Sequence, residues 1–147
     1  MKYIEELGIE NKEEIKSLFY SVFSIEPWND DWSDERQLDL YITDLIGQNN
    51  SVSFGLYVDD ELIGLSLGRF KHWYSGLEYF IDELCIKTDR QGEGLGSFFL
   101  REIEKDLKTK GYKAILLQTE KEMPAFDFYI ANGYLPMKGT VNFVKDI

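Results

Sequence analysis

Between Ile81 and Ser97 the chain reads Ile-Asp-Glu-Leu-Cys-Ile-Lys-Thr-Asp-Arg-Gln-Gly-Glu-Gly-Leu-Gly-Ser. A strand runs out, a glycine-rich turn follows, and a helix begins. Gly92, Gly94 and Gly96 occupy alternate positions. A residue without a β-carbon reaches positive φ and lets a ligand approach the main chain. Amide N–H groups of such a turn, placed at a helix N-terminus, converge on one anion, so the chemistry on offer is phosphate or pyrophosphate binding. The glycines read equally as a plain structural turn. Spacing excludes two other phosphate sites. A dinucleotide fold needs Gly-x-Gly-x-x-Gly early in a βαβ unit, and the Gly-Lys-Ser/Thr of a P-loop does not occur.

The elements that must position this turn follow from periodicity. Tyr3 to Leu7 predicts a short strand. Asn11 with Glu14 forms a capping-box pattern ahead of a helix that runs out near Ser24, with Ile15, Leu18, Phe19, Val22 and Phe23 as its apolar stripe. Glu26 to Trp32 is a loop, because Pro27 stops helix and Asn and Asp favour turns. Ser33 is the expected cap of a second helix, whose buried stripe is Leu38, Tyr41, Ile42, Leu45 and Ile46. Ser53–Val58 and Leu62–Phe70 are strands joined by a hairpin at Asp59-Asp60, and Lys71–Gly76 links them to a third strand, Glu78–Lys87. Gly94–Lys110 is helical, with Leu95, Phe99, Ile103 and Leu107 four apart and Gly111 as its stop. Ala114–Thr119 reads as a buried strand. Pro124 opens another helix that Gly133 ends. Tyr134–Met137 and Val141–Val144 are expected as final strands. The order β-α-α-β-β-β-α-β-α-β-β predicts an α/β (α+β) fold built on one mixed sheet.

Composition narrows the function. The 147 residues suit one domain. Sixteen Lys and Arg against 27 Asp and Glu give a net charge of −11, which argues against a nucleic-acid partner. Apolar residues at 44% supply a core. One cysteine excludes an internal disulfide framework, and one histidine excludes a His-rich metal site. No apolar run approaches the ~18 residues of a membrane span, and the N-terminus lacks a signal-peptide core. The expectation is a cytoplasmic protein with no membrane or nucleic-acid partner.

Gln91-Gly92-Glu93-Gly94-Leu95-Gly96 fits the Gln/Arg-x-x-Gly-x-Gly/Ala signature of the GNAT N-acetyltransferases, which the chain resembles. Leu84-Cys85-Ile86 is similar to the family's preceding strand, with Thr88 in place of the usual proline. Phe128-Tyr129-Ile130-Ala131-Asn132-Gly133-Tyr134 looks like the family's Phe/Leu-Tyr-x-x-x-Gly-Phe/Tyr segment. The resemblance implies one N-acetyltransferase domain over residues 1–147, with a mostly antiparallel central sheet flanked by helices. It implies acetyl-CoA as cosubstrate, no metal, and, as in many members, a homodimer. The main chain of Leu84, Cys85 and Ile86 is then expected to pair with the pantetheine arm. Gln91, Gly92, Glu93, Gly94, Leu95, Gly96 and Ser97 are expected to cradle the pyrophosphate, and Tyr129 to lie near the thioester sulfur.

The chemistry of acetyl transfer agrees with such roles. An amine must shed its proton before it attacks a thioester, the oxyanion needs donors, and the thiolate leaves more easily when protonated. Tyr129, a phenol with a pKa near 10, can supply that proton; otherwise it is an aromatic that only packs. Asp82 and Glu83 are candidates to orient or deprotonate the amine. In a regular strand they face opposite ways. The Ile-Asp-x-Leu-Leu-like setting of Asp82 is similar to that of an acid in some aminoglycoside 6′-N-acetyltransferases, so Asp82 is preferred and Glu83 is the alternative. A plain surface carboxylate and a water relay stay open.

In this family the first two helices and their loop wall the acceptor site. That loop carries Glu26, Trp28, Asp31 and Trp32, and carboxylates with aromatic faces attract ammonium groups. The same tryptophans could instead staple the helices together. With the net charge, the leading acceptor is a small polycationic amine of aminoglycoside or polyamine type, attacked directly in a ternary complex. A protein or peptide amine is the alternative, as is an inactive CoA-binding sensor. Cys85 reads as a packing residue and His72 as an exposed turn residue. The lysines 105, 108, 110 and 113 read as a solvated helix end.

Overall fold

The computed structural model describes residues 1–147. In chain order the elements are β1 (Lys2–Leu7), α1 (Lys12–Phe23), α2 (Glu35–Ile46), β2 (Ser51–Val58), β3 (Glu61–Trp73), β4 (Gly76–Ile86), α3 (Leu95–Thr109), β5 (Ala114–Leu117) and α4 (Pro124–Ala131). The five strands form one sheet in the order β1-β2-β3-β4-β5. Neighbours are antiparallel through β4, and β5 joins parallel to β4 after the α3 crossover. The predicted α/β class is found, and so is the order of the elements through α4.

Two apolar layers hold the helices on the sheet. The α1 stripe, with Leu38, Ile42 and Ile46 of α2, packs on Leu65, Leu67 and Cys85. On the other face Leu95, Phe99, Leu100, Ile103 and Leu107 of α3 pack on Phe54, Leu56, Tyr79 and Ile81. Each fully buried Leu, Ile or Phe contributes about 1.5–3 kcal/mol, so the spacing of these residues fixes which helix face turns inward. Tyr79, wholly buried, donates to the Val52 carbonyl at 3.0 Å and meets Ser66 Oγ at 3.0 Å.

Local signals shift by a residue or two. Asp34, not Ser33, caps α2, accepting from the Arg36 and Gln37 amides. Asn11 is the N-cap residue of α1 as expected, but its side chain accepts from Gly8 N–H at 3.0 Å and donates to Glu14 at 2.7 Å instead of bonding the first amides of the helix. Asp59 and Asp60 both take positive φ, 48° and 66°, as the tight hairpin requires. The Lys71–Gly76 link is mostly strand, since β3 and β4 pair out to Trp73 and Gly76.

The two expected final strands do not form. Residues beyond α4 join no ladder, and Leu135 and Phe143 are 86% and 93% exposed. Pro136 removes a ladder donor from the first. Neither segment buries a face, and a short ribbon without a packed face is marginal in water.

Two bulges interrupt the antiparallel ladders. In β3–β4, Leu67 lies opposite Glu83 and Gly68 opposite Ile81, which leaves Asp82 as an extra residue. Ile81 belongs to the α3 layer and Cys85 to the α1–α2 layer. Without the bulge these two would share a face.

Candidate active site

The site opens where β4 outruns its neighbour. β5 pairs only with Glu78–Ile81, so from Asp82 to Ile86 one edge of β4 is free of it. A cavity of about 390 Å³ fills the gap, bounded by β4, the start of α3, α4 and the α1–α2 loop. Leu84, Cys85 and Ile86 line it on the β4 side. Their free main-chain edge suits an extended arm added as a strand would be.

At one end stands the glycine turn. Gly92 and Gly94 hold φ at +81° and +77°, and a β-carbon at either would meet nothing within 4 Å. Conformation, not crowding, requires glycine there. Gly96 differs: a β-carbon would lie 3.0 Å from the Phe128 ring, so this glycine lets α4 approach α3. The first bond of α3 runs from Phe98 N–H to the Gly94 carbonyl at 3.1 Å, and no amide from Gly92 to Ser97 donates to the backbone. These donors line an open concavity at the positive end of α3, fitted to a pyrophosphate. Gln91 Nε2 donates to the Ile86 carbonyl at 2.9 Å and ties the turn to the strand. Glu93 lies outside the lining and pairs with Arg90 Nε at 3.1 Å. Arg90 does line the cavity and adds a cation beside the turn. Sequence reading passed over it, although a basic residue next to Gln91 was a visible signal.

Tyr129 lines the same cavity from α4. Burial raises its phenol pKa well above the ordinary value, with the Glu83 charge and then Cys85 adding to the rise. It therefore keeps its proton at neutral pH. The Cys85 thiol is buried and pushed up to about 12 by desolvation, with Glu83 adding, so it stays a neutral packing group.

The bulge decides the placement of the acids. Asp82 and Glu83 both turn to the α1–α2 side rather than to opposite faces, and neither lines the cavity that Leu84, Cys85 and Ile86 border. Asp82 Oδ1 pairs with Arg69 Nη2 at 3.5 Å, and Arg69 lies over Phe80 at 4.7 Å. Glu83 Oε1 accepts from the Tyr41 hydroxyl of α2 at 2.6 Å. Burial raises both carboxyl pKa values; Arg69 opposes the rise at Asp82, and the Tyr41 bond opposes it at Glu83.

The α1–α2 loop divides. Trp28 lines the cavity with Pro27 and packs on Phe23 at 5.5 Å. Trp32 does not line it; it stacks on Tyr41 at 5.0 Å and meets Phe19 edge-on at 5.5 Å. Asp31 accepts from the Ser33 amide and hydroxyl in the turn before α2. Glu26 is exposed on the loop. No group of His, Cys, Asp or Glu is placed to hold a metal ion, and no helix is long and apolar enough to cross a membrane.

Comparison with known proteins agrees with this fold. Residues 12–134 match the model of the acetyltransferase (GNAT) family. The chain belongs to that family and is an acetyl-CoA-dependent acetyltransferase. Among solved structures it is similar to an aminoglycoside acetyltransferase, meta-AAC0020, from an uncultured soil metagenomic sample in complex with sisomicin. That match has 22% identity and a TM-score of 0.75, covering 99% of this chain and 96% of that one. A possible acetyltransferase from Clostridium difficile 630 has 14% identity and a TM-score of 0.83, covering 100% and 99%. The ribosomal-protein-alanine N-acetyltransferase of Brucella melitensis biovar Abortus 2308 has 15% identity and a TM-score of 0.74, covering 100% of both chains. Among curated proteins nothing matches.

Proposed function

We propose that the enzyme acetylates a primary amine of a small cationic acceptor, of aminoglycoside or polyamine type, by direct attack within a ternary complex. What supports this is the bulge at Asp82, which sets two carboxylates side by side on the α1–α2 side of β4, next to but outside the residues that line the cavity, in a chain with net charge −11. Adjacent acids on one face favour an ammonium group and then offer it a base.

Each residue has a defined task. The amides from Gly92 to Ser97 bind the diphosphate, with Arg90 beside them. The main chain of Leu84, Cys85 and Ile86 holds the pantetheine arm in register. Asp82 and Glu83 attract the acceptor's ammonium, and one of them takes its proton. The freed nitrogen forms the new C–N bond and sheds its second proton to solvent as the C–S bond breaks, which leaves a neutral amide. Tyr129 gives its proton to the departing sulfur and recovers one from solvent. Trp28 offers an aromatic face to the cation from the cavity wall. No covalent enzyme intermediate is needed, because the one thiol nearby is buried and protonated.

The Brucella structure, named for a protein alanine acceptor, supports a second reading in which the amine belongs to a peptide. Release of free CoA thiol, followed across aminoglycosides, polyamines and alanine-ended peptides, tests both. Saturable turnover with the small polycations is expected. Turnover with peptides alone would replace the acceptor class, and CoA binding without turnover on any amine would mark a sensor.

A further inference from the structure

Tyr41 joins the α2 helix to the active-site strand across 42 residues of sequence. Its ring is fixed before its hydroxyl is considered. It stacks on Trp32 with centroids 5.0 Å apart and planes 18° from parallel, and tilts against Phe19 at 5.8 Å. The hydroxyl donates to Glu83 Oε1 at 2.6 Å, and no other hydrogen bond or ion pair within the chain reaches that carboxylate. Glu83 Oε2 is left without a protein partner.

The neighbouring acid is held in a different way. Asp82 has a guanidinium for a partner, and Arg69 is itself seated over Phe80. A cation beside a carboxylate cancels much of its field. A neutral hydroxyl orients a carboxylate and leaves its charge in place. Of the two acids at the bulge, Glu83 is therefore the one whose charge no cation offsets, and it keeps an oxygen without a protein partner for an incoming ammonium.

We infer that Tyr41 is a positioning residue for acetyl transfer: by holding Glu83 through Oε1 it presents Oε2 to the acceptor amine, and so makes Glu83 rather than Asp82 the acid that receives the proton. The inference rests on the amine-acetylating reading above. It also gives the tryptophan loop a second task, since Trp32 acts on the reaction through the Tyr41 ring. Burial and the adjoining carboxylate keep the Tyr41 phenol protonated, so it remains a donor throughout.

Y41F keeps the ring and its stacking and deletes one donor to a charged acceptor. Glu83 then ionises less readily, and the acid limb of kcat/KM against pH moves upward by about one to two pH units. Around Glu83 the other groups are Asp82 of β4, Arg69 of β3 beyond it, Asp30 of the α1–α2 loop, and Cys85 and Tyr129. Tyr129 and Cys85 titrate far above that limb. Asp82 could set it, so D82N is the control: in the D82N background the limb persists and Y41F still moves it. In the E83Q background Y41F has no limb to move. The Glu83 carboxyl carbon, identified by its loss in E83Q, is titrated in parallel by NMR, a readout that needs no turnover.

An upward move of both the kinetic limb and the Glu83 resonance supports the inference. A moved resonance with an unmoved limb overturns it while leaving acetyl transfer intact, and so does a limb that D82N abolishes. Absence of turnover by the parent enzyme on every amine removes the parent reading, and this role with it.

Discussion

Alanine at Gly94 separates the backbone demand of the turn from its ligand. Gly94 and Gly111 share a conformation, with φ of 77° and 88°, and at neither would a β-carbon meet anything within 4 Å. Alanine at either position carries only the left-handed penalty, roughly 1–2 kcal/mol. In a chain of this length that lowers Tm by about 2–8 °C. Gly111 merely ends α3, whereas Gly94 aims amides into the cavity. If φ at Gly94 relaxes, at least one amide swings off the diphosphate. A hydrogen bond to a charged group is worth about 1.5–3 kcal/mol, so losing one weakens CoA binding roughly 10- to 150-fold. Thermal melts, titration calorimetry with CoA, and KM for acetyl-CoA measure the pair. The expected result is a similar Tm loss in both variants, with affinity lost only in Gly94→Ala. If Gly94→Ala melted early yet bound CoA as tightly as the parent, the turn would be a structural corner and the cradle would lie elsewhere.

Further variants test the remaining assignments. Tyr129→Phe is expected to lower kcat about 10²–10⁴-fold with little change in Tm or CoA affinity; an undiminished rate would remove the phenol as acid. Glu83→Gln tests linkage through melts across pH. Burial raises the folded-state pKa of Glu83, so the matching stability is present in full below the unfolded value and is lost as pH rises through the folded one. Glutamine still accepts from Tyr41 and carries no buried charge, so the variant melts higher than the parent at neutral pH and loses that margin in acid; a pH-independent difference would refute the linkage. Trp32→Ala is expected to cost about 3–5 kcal/mol, because it empties the contact with Phe19 and Tyr41, as read by denaturant unfolding. Trp28→Ala, at the cavity wall, instead raises KM for the amine; equal stability losses with unchanged amine kinetics would make both tryptophans staples.

What the sequence determined by itself is what neighbours in the chain decide. Positive φ at Gly92 and Gly94 and the free amides of a helix start depend on a few consecutive residues, so the glycine turn was legible before any fold was known. The same holds for the stripes of α1, α2 and α3, whose spacing sets a buried face, and for the Asp59-Asp60 hairpin. Local reading misplaced the α2 cap by one residue, because Asp31, Ser33 and Asp34 all bear cap-forming side chains and only the turn's course selects among them. It also expected strands at Tyr134–Met137 and Val141–Val144, where β propensity is present and a face to bury is not.

The tertiary structure decided the relations between distant segments. Whether Asp82 and Glu83 share a face depends on where β3 sets its register against β4, and a one-residue bulge reverses the alternation that a strand implies by itself. Tyr41 fits an apolar stripe when α2 is read alone; it becomes a donor to Glu83 only after α2 docks on the sheet. Gly96 looks like its two neighbours in the turn, yet it is held to glycine by a ring from α4. Periodicity reports the face an element must bury, but the polar partner waiting there is set by packing between segments that the chain order keeps apart.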